Sequence, residues 1–189
     1  MRIFRQPDCA PGLLIGLALL LLILPLRWIL ALLVAAAFHE LCHLLALRLC
    51  GGQCRRIRLG AFGAVIQAAP LPPPQALFCS LAGPAGGLLL IGLARWFPRL
   101  ALCGAMQSAF NLLPIRGLDG SHALRFFLEL FLPPTAVDLV CRITEEILLF
   151  LACLSALYCT AILKLGIVPL LAAGSLVVRA TAGKIPCKS

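Results

Sequence analysis

Phe38-His39-Glu40-Leu41-Cys42-His43 lies inside a run at 29–49 that is otherwise apolar up to Arg48. Its outline is H-E-x-x-H. On a helix, residues four apart share a face, so His39 and His43 would present both imidazoles to one side. Two imidazoles so placed can grip one zinc ion. Glu40 stands beside them, where a carboxylate can take a proton from water that zinc has acidified. The plainer reading is a set of polar residues tying helices together. A charged group at mid-membrane costs about 2.5–3.5 kcal/mol, which makes that an expensive tie. The chain has 3 histidines, and two fall in this motif. The metal reading is therefore preferred.

The surrounding chain explains why such a run exists. Of 189 residues, 62% are hydrophobic and 12% charged, with mean hydropathy +1.06. A soluble domain of this length cannot hide so much apolar surface, and lipid is the natural solvent. The net charge of +9 comes from basic residues set singly or in short clusters between apolar runs, as in loops facing an anionic leaflet. No basic stripe interleaves with aromatics, so nucleic acid is not an expected partner. The 10 cysteines include no C-x-x-C pair and fall mostly in apolar runs, so neither a disulfide framework nor a zinc ribbon is expected. Arg2, Arg5 and the later Ala35-Ala36-Ala37 imitate a signal peptide, but the apolar stretch is too long and Arg27 interrupts it.

The fold expected is an all-α polytopic membrane protein with about six transmembrane segments: 12–26, 29–49, 75–93, 100–113, 147–163 and 165–178. The sixth, about 21 Å long as a helix, is short for a bilayer and could be re-entrant. The loop between segments two and three carries Arg56-Ile57-Arg58-Leu59, an alternating strand signal interrupted by Gly60 and Gly63, so a short strand-like hairpin is expected there. Ser121, Arg125 and Glu129 mark an interfacial helix at 121–132, which Pro133-Pro134 would stop. Thr144 would cap the next helix, with Glu145 and Glu146 near its N-terminus. Another intramembrane protease pattern, E-E-x-x-x-R, fails because position 150 is Phe. A single domain, 1–189, is expected, with a core at about 10–132 and extra C-terminal spans at about 147–178. Six spans put both termini on the side holding Arg48, Arg55, Arg56, Arg58 and Arg142, and the positive-inside rule makes that side cytoplasmic.

A catalytic zinc wants a third protein ligand and an open position. Asp119, His122 and Glu129 are the candidates. Asp119 follows the break of span four at Pro114, at a depth compatible with His39. His122 lies one turn later and also reads as an interfacial residue.

The quoted motif, with Asn111-Leu112-Leu113-Pro114 and Leu118-Asp119-Gly120, resembles the site-2 protease family of intramembrane zinc metalloproteases, whose H-E-x-x-H is followed by N-x-x-P and L-D-G. Ser80-Leu81-Ala82-Gly83-Pro84 resembles that family's small-residue segment. The compact plan looks most like the stage IV sporulation protein FB subgroup. The resemblance implies a zinc-dependent protease with one zinc held by His39, His43 and Asp119, and with Glu40 as the catalytic base. It implies substrate contacts at Asn111, Pro114, Gly83 and Pro84. It also implies a transmembrane or membrane-associated protein substrate, cleavage near the cytoplasmic face, and a place in a bacterial cytoplasmic membrane. By analogy, a strand at 56–65 could bind an unwound substrate by edge addition, the other reading being a plain surface hairpin. One departure stands out: Gly87 occupies the position where the family often has an Asn thought to hold substrate. No PDZ-like insertion separates the motifs.

Two other classes compete: a metal transporter or sensor, and a catalytically silent relative that binds membrane partners. The first would want acidic residues along a path, which spans one, three and six lack; the second would show a lost Glu or His, and all are present. A homo-oligomer or a regulatory membrane partner stays open, as does the substrate's identity.

Overall fold

The computed structural model describes residues 8–9, 24–60, 63–164 and 166–182. It is mostly helical and divides into two units, 1–111 and 112–189.

In the first unit, α1 (Leu26–Leu49) carries the quoted motif. Its Leu- and Ala-rich stretch has neither Gly nor Pro, which suits a long helix. It ends in a Schellman turn. The amide of Gly52 donates to the Leu47 carbonyl at 2.9 Å, and that of Gly51 to Arg48 at 3.0 Å. Gly51 has φ 69°, a left-handed conformation that glycine adopts without strain. Strand β1 (Asp8–Cys9) pairs parallel with β2 (Cys54–Gly60), which pairs antiparallel with β3 (Gly63–Ala68), giving the order β1-β2-β3. Helix α2 (Pro73–Leu89) has Pro73 in its first turn and continues as a 3₁₀ turn, Leu90–Leu93. Helix α3 is Pro98–Asn111.

The three helices pack on one another because α2 offers glycines at the contacts. A Cβ on Gly86 would run into the Cys42 Sγ of α1. One on Gly87 would run into the Ser108 Oγ of α3 and come within 2.9 Å of the Gly104 carbonyl. Small residues let helix backbones approach where apolar burial supplies little drive, as in lipid. Ile29, Ala35, His39 and Ala46 of α1 face inward, while Leu30, Leu33, Val34, Leu41 and Leu45 stay exposed. That is the surface a lipid-facing helix shows. Leu26–Leu49 and Pro73–Leu93, with hydropathies of 2.0 and 1.9, are long and apolar enough to cross a membrane. These are the features of a membrane protein.

In the second unit, α4 (Asp119–Glu129) packs on α5 (Pro134–Ala161), and α5 on α6 (Val168–Ala182).

Several boundaries differ from those read in the sequence. The segment at 12–26 lies outside the described residues except for its last three. The helix expected at 147–163 begins at Pro134. The Pro133-Pro134 pair does end the preceding segment, but Pro in a first turn also starts a helix, because its missing N–H would have no partner there. Thr144 therefore lies within α5 and caps nothing; Pro133 is the N-cap residue, with no side-chain cap. The apolar signal misled because 134–146 carry Asp138, Arg142, Glu145 and Glu146. Asp119, expected in a turn before a helix at 121, is itself the first residue of α4.

Candidate metal centre

The i, i+4 spacing on α1 brings the two imidazoles together, with ring centroids 4.8 Å apart and planes at 79°. Their Nε2 atoms are 3.2 Å apart. His39 is 2% exposed. His43 Nδ1 lies 2.8 Å from the Cys79 carbonyl on α2. A carbonyl only accepts, so Nδ1 carries the proton and Nε2 keeps its lone pair. This is the carbonyl–histidine arrangement that orients metal ligands. Zinc–nitrogen bonds of 2.0–2.1 Å at a tetrahedral angle put two ligand nitrogens about 3.3 Å apart. The observed separation fits that bite.

Gly83 closes the other side of the pair. A Cβ there would run into His43 Nε2 and come within 2.7 Å of His39 Nε2. Pro84 beside it is fully buried. Asn111, the last residue of α3, places Nδ2 3.4 Å from His39 Nε2. Glu40 follows His39 on α1 and is half-buried. The Gly87 position admits no side chain, for the reason given above, so an asparagine there would push α2 from α3.

In the second unit, residues 112–118 lead into Asp119. Ile115 and Leu118 are buried, and Gly117 has φ 82°. The Ser121 hydroxyl donates to the Leu118 carbonyl at 2.8 Å. Pro114 is half-buried in this turn, on the rim of a cavity of about 810 Å³ that Arg116, Arg125 and Glu145 also line. His122 is exposed, its ring stacked on Phe126 at 6.4 Å. Arg125 pairs with Glu129 at 3.0 Å and with Asp138 at 3.0 Å.

Within the first unit, His39 and His43 are a pair of donors that could hold a metal ion, and Asp119 opens α4 of the second unit. Two imidazoles and a carboxylate are a usual catalytic zinc set.

Two participants escaped the sequence reading. The Cys79 carbonyl is a backbone atom and leaves no residue signature. Glu145 was read as a helix-end charge, yet it is 4% exposed and paired with Arg116 at 3.0 Å. The signal available was an acidic residue leading directly into the apolar run 147–157.

No protein-family model matches the sequence, and no curated protein matches it. Among solved structures, the site-2 protease from Methanocaldococcus jannaschii is similar, with a TM-score of 0.68 and 21% identity over 100% of this chain and 97% of that one. The chain thus shares that protein's fold.

Proposed function

We propose that this chain is a zinc-dependent intramembrane protease of the site-2 type, cutting membrane-embedded or membrane-associated proteins near the cytoplasmic face. The observation that carries this reading is the histidine pair: two Nε2 atoms 3.2 Å apart, with the His43 Nδ1 proton committed to the Cys79 carbonyl. The shared fold and the separated H-E-x-x-H and L-D-G motifs support it.

In this reading His39, His43 and Asp119 hold one zinc ion. Bound zinc supplies Lewis acidity, polarising the scissile carbonyl and making water nucleophilic near neutral pH. Glu40 accepts the proton of the attacking water and returns it to the leaving amine. Asn111, Gly83, Pro84 and Pro114 contact the substrate. A substrate helix unwinds and adds its extended chain to β3, which stands at one end of the described strand order. Six spans, cytoplasmic termini and a bacterial cytoplasmic membrane complete the proposal. The compact plan favours the stage IV sporulation protein FB subgroup, and with it a role in sporulation.

The test joins zinc analysis of the purified protein to cleavage of a single-span substrate. Glu40→Gln should retain zinc and lose cleavage, because Glu40 is placed as base and not as ligand. Turnover at the wild-type rate by that variant would remove Glu40 from the mechanism.

A further inference from the structure

Glu145 sits in α5 with 4% of its surface exposed. Its Oε2 lies 3.0 Å from Arg116 Nε, and its Oε1 accepts the Arg116 backbone N–H at 3.3 Å. One carboxylate thus holds both the side chain and the main chain of a single residue. An ion pair through the side chain alone would leave the backbone free to swing on a flexible stem. This one does not, and Arg116 lies three positions before Asp119. The next residue along α5 supplies the contrast: Glu146 is mostly exposed and reaches Arg142 at 3.6 Å.

The rest of the turn is fixed in the same direction. The Ile115 amide donates to Leu113 at 2.8 Å and the Leu118 amide to Ile115 at 3.1 Å. Gly120 is packed so closely that a Cβ would run into the Leu112 carbonyl. From α5, Glu145 makes a polar contact that reaches this backbone.

We propose that Glu145 is a positioning residue for the Asp119 carboxylate, acting through Arg116; this rests on Asp119 being the third zinc ligand. Metal ligands must be held within about 0.5 Å of productive geometry. The carboxylate of Glu145 does this by fixing the chain from which α4 starts. It does not touch substrate or metal.

The experiment compares four variants of the full chain, each purified in detergent. Zinc affinity is measured by chelator competition, and cobalt(II) substitution gives an absorption spectrum sensitive to ligand geometry. Glu145→Gln should weaken zinc about 10–100-fold, as loss of a partner behind a ligand does, and should shift the cobalt bands. Val137→Ala, a core truncation on the same helix, should lower Tm yet leave affinity and spectrum as in the wild type. Arg116→Lys keeps the charge, loses the Nε contact and should fall between, which preserves the test if Glu145→Gln fails to fold. Wild-type affinity and spectrum in Glu145→Gln, or equal effects from Val137→Ala, would overturn the positioning role. Unchanged zinc affinity in Asp119→Asn would instead bring down the ligand assignment beneath it, and the positioning role with it.

Discussion

His39 and His43 in one unit, and Arg116 and Glu145 in the other, are both polar pairs with a buried member. They differ in what the paired atoms can hold. The guanidinium meets a carboxylate at 3.0 Å, so donor meets acceptor and opposite charges cancel. The imidazoles turn Nε2 toward Nε2 at 3.2 Å, and at least the His43 nitrogen is a lone pair because its other nitrogen donates to Cys79. Two nitrogens at that spacing match the bite of one metal ion. A charge pair that closes on itself serves the architecture, and on the proposed reading the histidine pair serves a metal.

The sharpest way to break this contrast is to remove one imidazole. His39→Ala or His43→Ala should take the zinc content of the purified protein from one ion to none by atomic emission, and abolish cleavage. Stoichiometric zinc in either variant would mean that the pair is only architecture. Next in size is the choice of third donor. Asp119→Asn should strip or strongly weaken zinc, because a neutral amide is a poor ligand, whereas His122→Ala should keep both metal and activity. The reverse pattern would move the ligand one turn along α4.

A smaller effect is expected where the pair meets α2. Gly83→Ala forces a methyl against both imidazoles, and overpacking of this kind costs about 1–3 kcal/mol. A lower Tm together with weaker zinc binding is expected. Gly174→Ala, where nothing lies within 4 Å, should be neutral or stabilise α6 by up to about 1 kcal/mol. Equal outcomes at the two glycines would show that Gly83 does not brace the histidines. Smallest of all, Arg142→Gln removes an exposed i,i+4 pair at 3.6 Å and should shift stability by no more than about 0.5 kcal/mol, read as Tm beside Glu145→Gln.

How much of this was legible before the structure depends on the range of the signal. H-E-x-x-H is local: helical geometry alone converts its spacing into a shared face. Gly51-Gly52 is equally local, since a left-handed residue ends a helix wherever it falls. Segments 29–49 and 75–93 were readable because each is one apolar run. The start of α5 was not, because Pro133-Pro134 reads equally as a stop and as a start, and the charges after it hid the helix. The fate of Glu145 was not readable either. Whether a carboxylate beside an apolar run faces solvent or a guanidinium depends on Arg116, which is distant in sequence. Gly87 looked like a departure from a family pattern until its contact with Gly104 and Ser108 gave it a packing reason.

On the proposed membrane reading, the Schellman turn at Cys50–Gly52 also sets a depth. With Arg48 at the water boundary, His43 lies about five residues further in, or roughly 7–8 Å at 1.5 Å per residue. The midplane of a hydrocarbon layer lies about 15 Å from its edge. The reagent of any hydrolysis at this site is water, and it has only half of that distance to travel. A short aqueous inlet beside the end of α1 is enough to feed the reaction, and the rest of the layer can stay sealed against ions.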